Sequence, residues 1–315
     1  MRIVFMGTPD YAVPSLNALK ENGYEIAAVF TQPDRPRGRG NKVTVSPVKA
    51  RAEQLGIPVF QPEKIRRDGV GDLKALSPDL CVTAAFGQIL SQELLDIPRL
   101  GTVNVHASLL PEFRGSSPVA WCILEGRDRT GVTTMLTDRG IDTGAVLMRR
   151  ECPILPEDTA GTLTDKLASL GAGLLIETLR GLENGTVTPE AQDESRMSYY
   201  PMLRKEMGQM DFALPSLRLH NAVRAFDPWP GCFFSAGGEK IKVWKTEVRP
   251  WDGNEAPGTV LLSDRKRGLW IKTGDGALEV TELQAPGGKR MRAADYLSGH
   301  SLREIDVPGG ASDAQ

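Results

Sequence analysis

The sequence predicts an α/β fold in two parts: a Rossmann-like parallel sheet with helices on both faces, then a small C-terminal β-barrel of OB-like type. Three observations predict it. Through the first half, short apolar runs alternate with helical patterns, as parallel strands joined by crossover helices require. Runs such as Ile26-Ala27-Ala28-Val29-Phe30 are apolar throughout, which suits a sheet covered on both faces. Beyond about residue 205 the composition shifts to short β-rich runs between Gly, Asp and Pro turns.

Residues 2–6 read as an apolar strand and Gly7-Thr8-Pro9-Asp10 as a turn. Ala12, Val13, Leu16 and Leu19 then recur at helical spacing until Gly23. Further strands are expected at 26–30, 59–60, 80–85 and 102–106. Ser117 as N-cap, Pro118 at the first helical position and Gly126 past the end mark one helix. Leu163, Leu167, Leu170, Leu174, Leu179 and Leu182 give a packing stripe to a helix over 161–183, stopped by Asn184-Gly185. From 187 to 205 the periodicity is lost. A helix around 214–225 then precedes β-rich runs at 233–234, 241–244, 259–262, 269–273 and 277–283. The reading is a first domain at 1–187, a linker at 188–205, a barrel domain at 206–310 and a tail at 311–315, with fraying expected from Val307 on.

The chain has 315 residues, with 38 Lys+Arg against 40 Asp+Glu and a net charge of −2. That balance excludes a globally basic nucleic-acid coat but leaves room for a local basic patch. Apolar residues at 40% and charged residues at 25% argue against disorder. No run of apolar residues is long enough to cross a membrane, and the acid at Asp10 cuts the first apolar run too short for a signal-peptide core. Cys81, Cys122, Cys152 and Cys232 lack any Cys-x-x-Cys spacing and read as small buried hydrophobes in a reducing cytoplasm. His106, His220 and His300 are too scattered to suggest a metal site.

The opening strand, turn and helix invite a dinucleotide site, yet Gly7-Thr8-Pro9-Asp10 holds no Gly-x-Gly-x-x-Gly. Asn104 and His106 stand two apart at the end of an expected strand, so they share one face at the edge where open α/β sheets place ligands. An amide and an imidazole N–H aimed at one point could polarise a carbonyl. On spacing alone, a strand and loop cap is the favoured reading. In Asp138-Arg139-Gly140-Ile141-Asp142-Thr143-Gly144 two glycines frame a carboxylate and let the backbone bend around it; alone, this reads also as an Asx-type turn.

Together, Asn104-x-His106-x-Ser108-Leu109-Leu110-Pro111-x-x-Arg114-Gly115 and the later Gly140-Ile141-Asp142-Thr143-Gly144 loop resemble the folate-dependent formyltransferases. The resemblance implies Asn104, His106 and Asp142 as the catalytic set, 10-formyltetrahydrofolate as formyl donor and no metal. It implies folate contacts from Ser108, Leu109, Leu110 and Pro111, and from a pterin-side loop of Phe86, Gly87, Ile89 and Leu90; Asp142 lies in the other pterin-side loop. The likeness covers nearly the whole chain. Gly7-Thr8-Pro9-Asp10-Tyr11-Ala12, the run from Thr31 to Gly40, Ser46-Pro47-Val48-Lys49, Arg224-Ala225-Phe226-Asp227-Pro228-Trp229-Pro230 and Ile241-Lys242-Val243-Trp244-Lys245 narrow it to members whose acceptor is methionine esterified to initiator tRNA. It further implies a cytoplasmic monomer. Ser116-Ser117 stands where the family usually has two alanines, and Val119-Ala120 where it has Ile-Gln.

The loop Arg35, Arg37, Arg39, Lys42 sets four cations against Asp34, with Gly38 and Gly40 keeping it mobile. Guanidinium groups grip phosphates bidentately and stack on bases, so this loop is the expected tRNA contact. Arg265-Lys266-Arg267 and Lys289-Arg290-x-Arg292 are further basic clusters able to follow an RNA backbone. Three rivals share parts of this pattern: a formyltransferase acting on a small amine, a formyltetrahydrofolate hydrolase, and a non-catalytic RNA-binding protein. The basic loop and barrel argue against the first two, and the Asn–His–Asp set against the third.

Overall fold

The structure, a computed structural model, describes residues 1–37 and 42–306. Gly38, Arg39 and Gly40 of the basic loop, and the tail from Val307 on, lie outside the described residues. The chain divides into two compact units. The first comprises Met1–Pro118, Arg129–Pro153 and Leu163–Tyr200; the second comprises Val119–Asp128, Ile154–Thr162 and the chain from Pro201 on.

The first unit is built on a seven-stranded sheet. Its strands are β1 (Arg2–Gly7), β2 (Glu25–Phe30), β5 (Val59–Phe60), β6 (Leu80–Ala84), β7 (Thr102–His106), β9 (Arg129–Leu136) and β10 (Val146–Pro153), in the order β10-β9-β7-β6-β1-β2-β5. The run from β7 to β5 is parallel. Helices α1 (Val13–Glu21), α2 (Pro47–Gln54), α3 (Ile65–Asp68), α4 (Val70–Leu76) and α5 (Gln92–Leu95) lie between these parallel strands in sequence. Val4, Phe5, Ala28, Val29 and Val82 are fully buried, as continuous apolar strands demand.

β9 and β10 are additions that the sequence reading does not contain; β9 pairs antiparallel with β7, and β10 antiparallel with β9. The reason is chemical. β9 carries Thr130, Thr133 and Thr134, polar by composition yet buried, because their hydroxyls find internal partners. Thr133 Oγ1 donates to Ser108 O at 2.7 Å, and the Thr134 and Thr178 hydroxyls pair at 2.8 Å.

Two small pairs flank the sheet's carboxyl edge in sequence. β3 (Arg35–Arg37) and β4 (Lys42–Thr44) form an antiparallel hairpin, and β8 (Arg114–Gly115) pairs in parallel with β11 (Tyr199–Tyr200). The long helix α7 (Ala160–Glu183) ends where expected, with Gly185 in a left-handed conformation at φ 66°.

In the second unit six strands form one antiparallel sheet: β12 (Cys232–Ala236), β13 (Glu239–Arg249), β14 (Val260–Asp264), β15 (Gly268–Lys272), β16 (Ala277–Gln284) and β17 (Met291–Arg292). Helix α8 (Ser216–Ala225) buries Leu219 and Val223, and Asp275 accepts the Ser216 N–H at 2.7 Å. Helix α6 (Pro118–Leu124) and the short α9 (Ala293–Tyr296) complete the helices. Two earlier segments pack into this unit. Arg218 bonds to Leu124 O, and Arg224 reaches the carbonyls of Leu155 at 3.2 Å and Pro156 at 3.0 Å. All four cysteines are free thiols; burial pushes Cys81 and Cys232 up to about 12.

Candidate active site

The site forms at the carboxyl ends of β6 and β7. Thr83 on β6 lies beside Asn104 on β7, and its hydroxyl donates to Asn104 Oδ1 at 3.0 Å. That bond fixes the amide, leaving the two N–H donors of Asn104 on its other side. Two residues on, the His106 ring is buried. A carbonyl oxygen only accepts, so His106 Nε2 donates to Phe113 O, at 3.1 Å. Its Nδ1 faces Asp142 Oδ1 at 3.6 Å. The other carboxylate oxygen, Oδ2, accepts the Gly115 N–H at 2.9 Å. The structure thus brings Asn104, His106 and Asp142 to one edge of the sheet.

Backbone strain collects here. Ala85, Phe113 and Asp142 take φ of 44°, 58° and 55°, a region non-glycine residues rarely occupy. The bend expected of Gly140 and Gly144 therefore falls on Asp142 itself. Those glycines serve close approach instead: a Cβ at Gly140 would stand 1.9 Å from Thr143 Oγ1, and one at Gly144 would stand 1.6 Å from Leu136 O.

Of the segment expected to touch folate, Ser108, Leu110 and Pro111 are buried and only Leu109 is half-exposed. Ser108 Oγ donates to Glu112 O at 2.7 Å, and Leu110 O accepts Arg149 Nε at 2.9 Å. The loop after β6 is more accessible. Phe86 and Leu90 point inward, while Gly87 is exposed and Ile89 is 71% exposed. Thr8 and Gln32, at the carboxyl ends of β1 and β2, hold this loop: Thr8 Oγ1 donates to Phe86 O at 2.9 Å and Gln32 Nε2 to Gly87 O at 2.9 Å. Gln88 is committed to Ile65 N at 2.7 Å and Pro62 O at 2.9 Å. A cavity of about 610 Å³ opens among Thr8, Asp10, Gln32, Arg35, Gly87 and Ile89; the Asn–His–Asp trio is not part of its lining.

Arg35 is exposed and stands 4.0 Å from Glu63, while Arg37 and Lys42 pair in the backbone register of the β3–β4 hairpin. The hairpin is rooted by Asp34, which accepts Lys49 Nζ at 2.5 Å and Gln61 Nε2 at 2.8 Å. The Lys49 hydrogen bond holds the Asp34 carboxyl below the usual carboxylate range. In the second unit, Arg267 is tied to Asp264 at 2.5 Å, and Arg290 to Glu282 at 2.6 Å and Asp227 at 3.2 Å. Lys242 and Arg290 each lie 5.4 Å from the Trp244 ring, and Lys240 lies 3.4 Å above Phe233.

Several residues around the trio escape the sequence reading. Gln192 donates through Nε2 to Asp142 O and Gly144 O, both at 2.8 Å. Ser198 Oγ accepts the Phe113 N–H at 2.9 Å, and the Tyr200 ring stacks on Phe113 with centroids 5.0 Å apart. Gln192 and Ser198 lie far outside the motif, and Thr83 lies 21 residues before Asn104, so no spacing announces them. Among the described residues no three His, Cys, Asp or Glu side chains gather as metal ligands, and no helix is long and apolar enough to cross a membrane.

Residues 1–179 match the formyl transferase family, and residues 202–301 match the formyl transferase C-terminal domain. A methionyl-tRNA formyltransferase of Caldanaerobacter subterraneus subsp. tengcongensis is 48% identical over 306 residues, covering 96% of this chain and 98% of its own length. Among solved structures, HypX from Aquifex aeolicus superposes with a TM-score of 0.65 at 19% identity over 95% of this chain; the chain spans about half, 47%, of that protein's length. An N-formyltransferase from Helicobacter canadensis, solved with folinic acid and dTDP-3-aminofucose, superposes with a TM-score of 0.65 at 22% identity, covering 92% of this chain and 99% of its own. At those identities the two structures speak for the fold alone.

Proposed function

Because the chain belongs to the formyltransferase family, we propose that it transfers the formyl group of 10-formyltetrahydrofolate to the α-amino group of methionine esterified to initiator tRNA, for translation initiation. The observation that carries this reading is the likeness, 48% identical over 306 residues and both family domains, to a methionyl-tRNA formyltransferase.

The α-amine of an aminoacyl ester has no neighbouring carboxylate to stabilise its ammonium form, so much of it is neutral near pH 7 and positioning matters more than a strong base. The amine nitrogen attacks the formyl carbon. A new C–N bond forms, the bond from that carbon to folate N10 breaks, and the proton shed by the amine ends on N10. Negative charge develops on the formyl oxygen. Asn104, its amide oxygen tied to Thr83, offers an N–H donor to it. His106 Nε2–H is the second donor, exchanging Phe113 O for the developing oxyanion. Asp142 holds the ring from the Nδ1 side.

The folate would lie along Leu109, Gly87 and Ile89, the accessible members of the two implied segments. The tRNA backbone would meet Arg35, Arg37, Arg39 and Lys42 in a domain at 1–187, and the Lys242–Trp244–Arg290 cluster in a domain at 206–310. The same reading makes the protein a cytoplasmic monomer. The test is transfer of labelled formyl from 10-formyltetrahydrofolate to charged initiator tRNA, compared with free methionine. Equal use of the two acceptors would favour a small-amine enzyme.

A further inference from the structure

Gln192 lies fifty residues from Asp142 in sequence and is 9% exposed. Its two polar ends meet groups of opposite character. Oε1 accepts from Arg114 Nε at 3.1 Å and Nη2 at 2.8 Å. Nε2 donates to Asp142 O and Gly144 O, both at 2.8 Å. A guanidinium only donates and a carbonyl only accepts, so the amide has one orientation. Arg114 is 4% exposed and is itself held by Glu194 at 2.7 Å. Asp142 itself carries the first of the two carbonyls that Gln192 clasps, and it holds a left-handed conformation, φ 55°, that non-glycine residues rarely adopt.

We infer that Gln192, backed by Arg114, is a positioning residue for the reaction: it clamps the backbone turn that aims the Asp142 carboxylate at His106. This rests on the catalytic reading of Asp142.

Two substitutions test it in the full chain with 10-formyltetrahydrofolate and charged tRNA. Gln192→Glu keeps the acceptor for Arg114 and turns an acceptor toward the two carbonyls. Gln192→Met keeps length and removes both polar ends. Each should lower kcat by about 10²-fold, the cost of a small misplacement of a reacting group. KM for both substrates and the native melting transition should stay in place, a split that general loosening of the fold would not give. Combined with Asp142→Asn, neither should add a further loss, because both act through one carboxylate. Low turnover in Asp142→Asn with full turnover in both Gln192 variants would overturn this inference alone. So would additive losses, a rise in KM with kcat kept, or loss of the melting transition in both. Full turnover in Asp142→Asn would sink the reading of Asp142, and the clamp with it.

Discussion

His106 Nδ1 and Asp142 Oδ1 stand 3.6 Å apart, while the other face of the ring is held through Nε2 by Phe113 O at 3.1 Å. The imidazole thus lies between two oxygen acceptors, hydrogen-bonded to one and facing the other. Asp142→Asn keeps the shape but replaces an acceptor with an amide. It should abolish most turnover and change the pH–rate profile while leaving the fold intact. Normal activity with an unchanged profile would reduce Asp142 to a turn residue.

Asn104→Ala and His106→Ala should each lower kcat by about 10²–10³-fold, the usual cost of one oxyanion donor. Folate affinity, read by calorimetry, should survive, since in the proposed mechanism both residues act on charge that develops only during transfer. Near-full turnover at saturating substrate in either variant would remove that residue from the mechanism.

Replacing Arg35, Arg37, Arg39 and Lys42 together by Ala should raise KM for charged tRNA and leave folate binding unchanged. Phosphate contacts release counterions, so the variant should also show a shallower dependence of tRNA binding on salt. A wild-type KM and a wild-type slope would detach the hairpin from tRNA.

Asp34 roots that hairpin through Lys49 and Gln61, and the Lys49 hydrogen bond depresses its pKa in the folded state. A carboxyl depressed on folding adds stability above its unfolded value and loses it as pH falls through the folded one. Wild type should therefore exceed Asp34→Asn in Tm at neutral pH, and the gap should shrink from about pH 4 downward. A gap that stays constant into acid would rule out the ion pair as its source.

Gly115 has φ 113°, and a Cβ there would stand 2.1 Å from Tyr200 O. Gly115→Ala should cost about 2–3 kcal/mol through strain and displacement of β11, visible as a lower Tm. An unchanged Tm would show that β8 and β11 can part freely.

The parallel strands were legible because each is a short apolar run with a clear break: β5 and β7 fall on the residues expected, and β6 stops one residue early, where Ala85 turns left-handed. β9 was hidden by threonines whose burial depends on partners far along the chain, such as Thr178. The trio was legible only through the family resemblance of the two motifs taken together, since the Asn-x-His spacing alone reads as a cap and the glycine-framed aspartate alone as a turn. What holds the trio was not. Thr83 reads as an ordinary strand residue, and Gln192 falls in a polar stretch without period, so their roles exist only once the fold has joined distant segments.

Residues 188–200 have a bearing on how such chains could be recombined. Gln192, Ser198, Tyr199 and Tyr200 all bond or pair back onto the 113–144 region. A hybrid joined at 187 would inherit Asn104, His106 and Asp142, the side chains proposed for catalysis, from one parent, yet take from the other the brace that holds them. Working chimaeras should tolerate a junction after Tyr200 and reject one before Gln192, unless both parents share the brace.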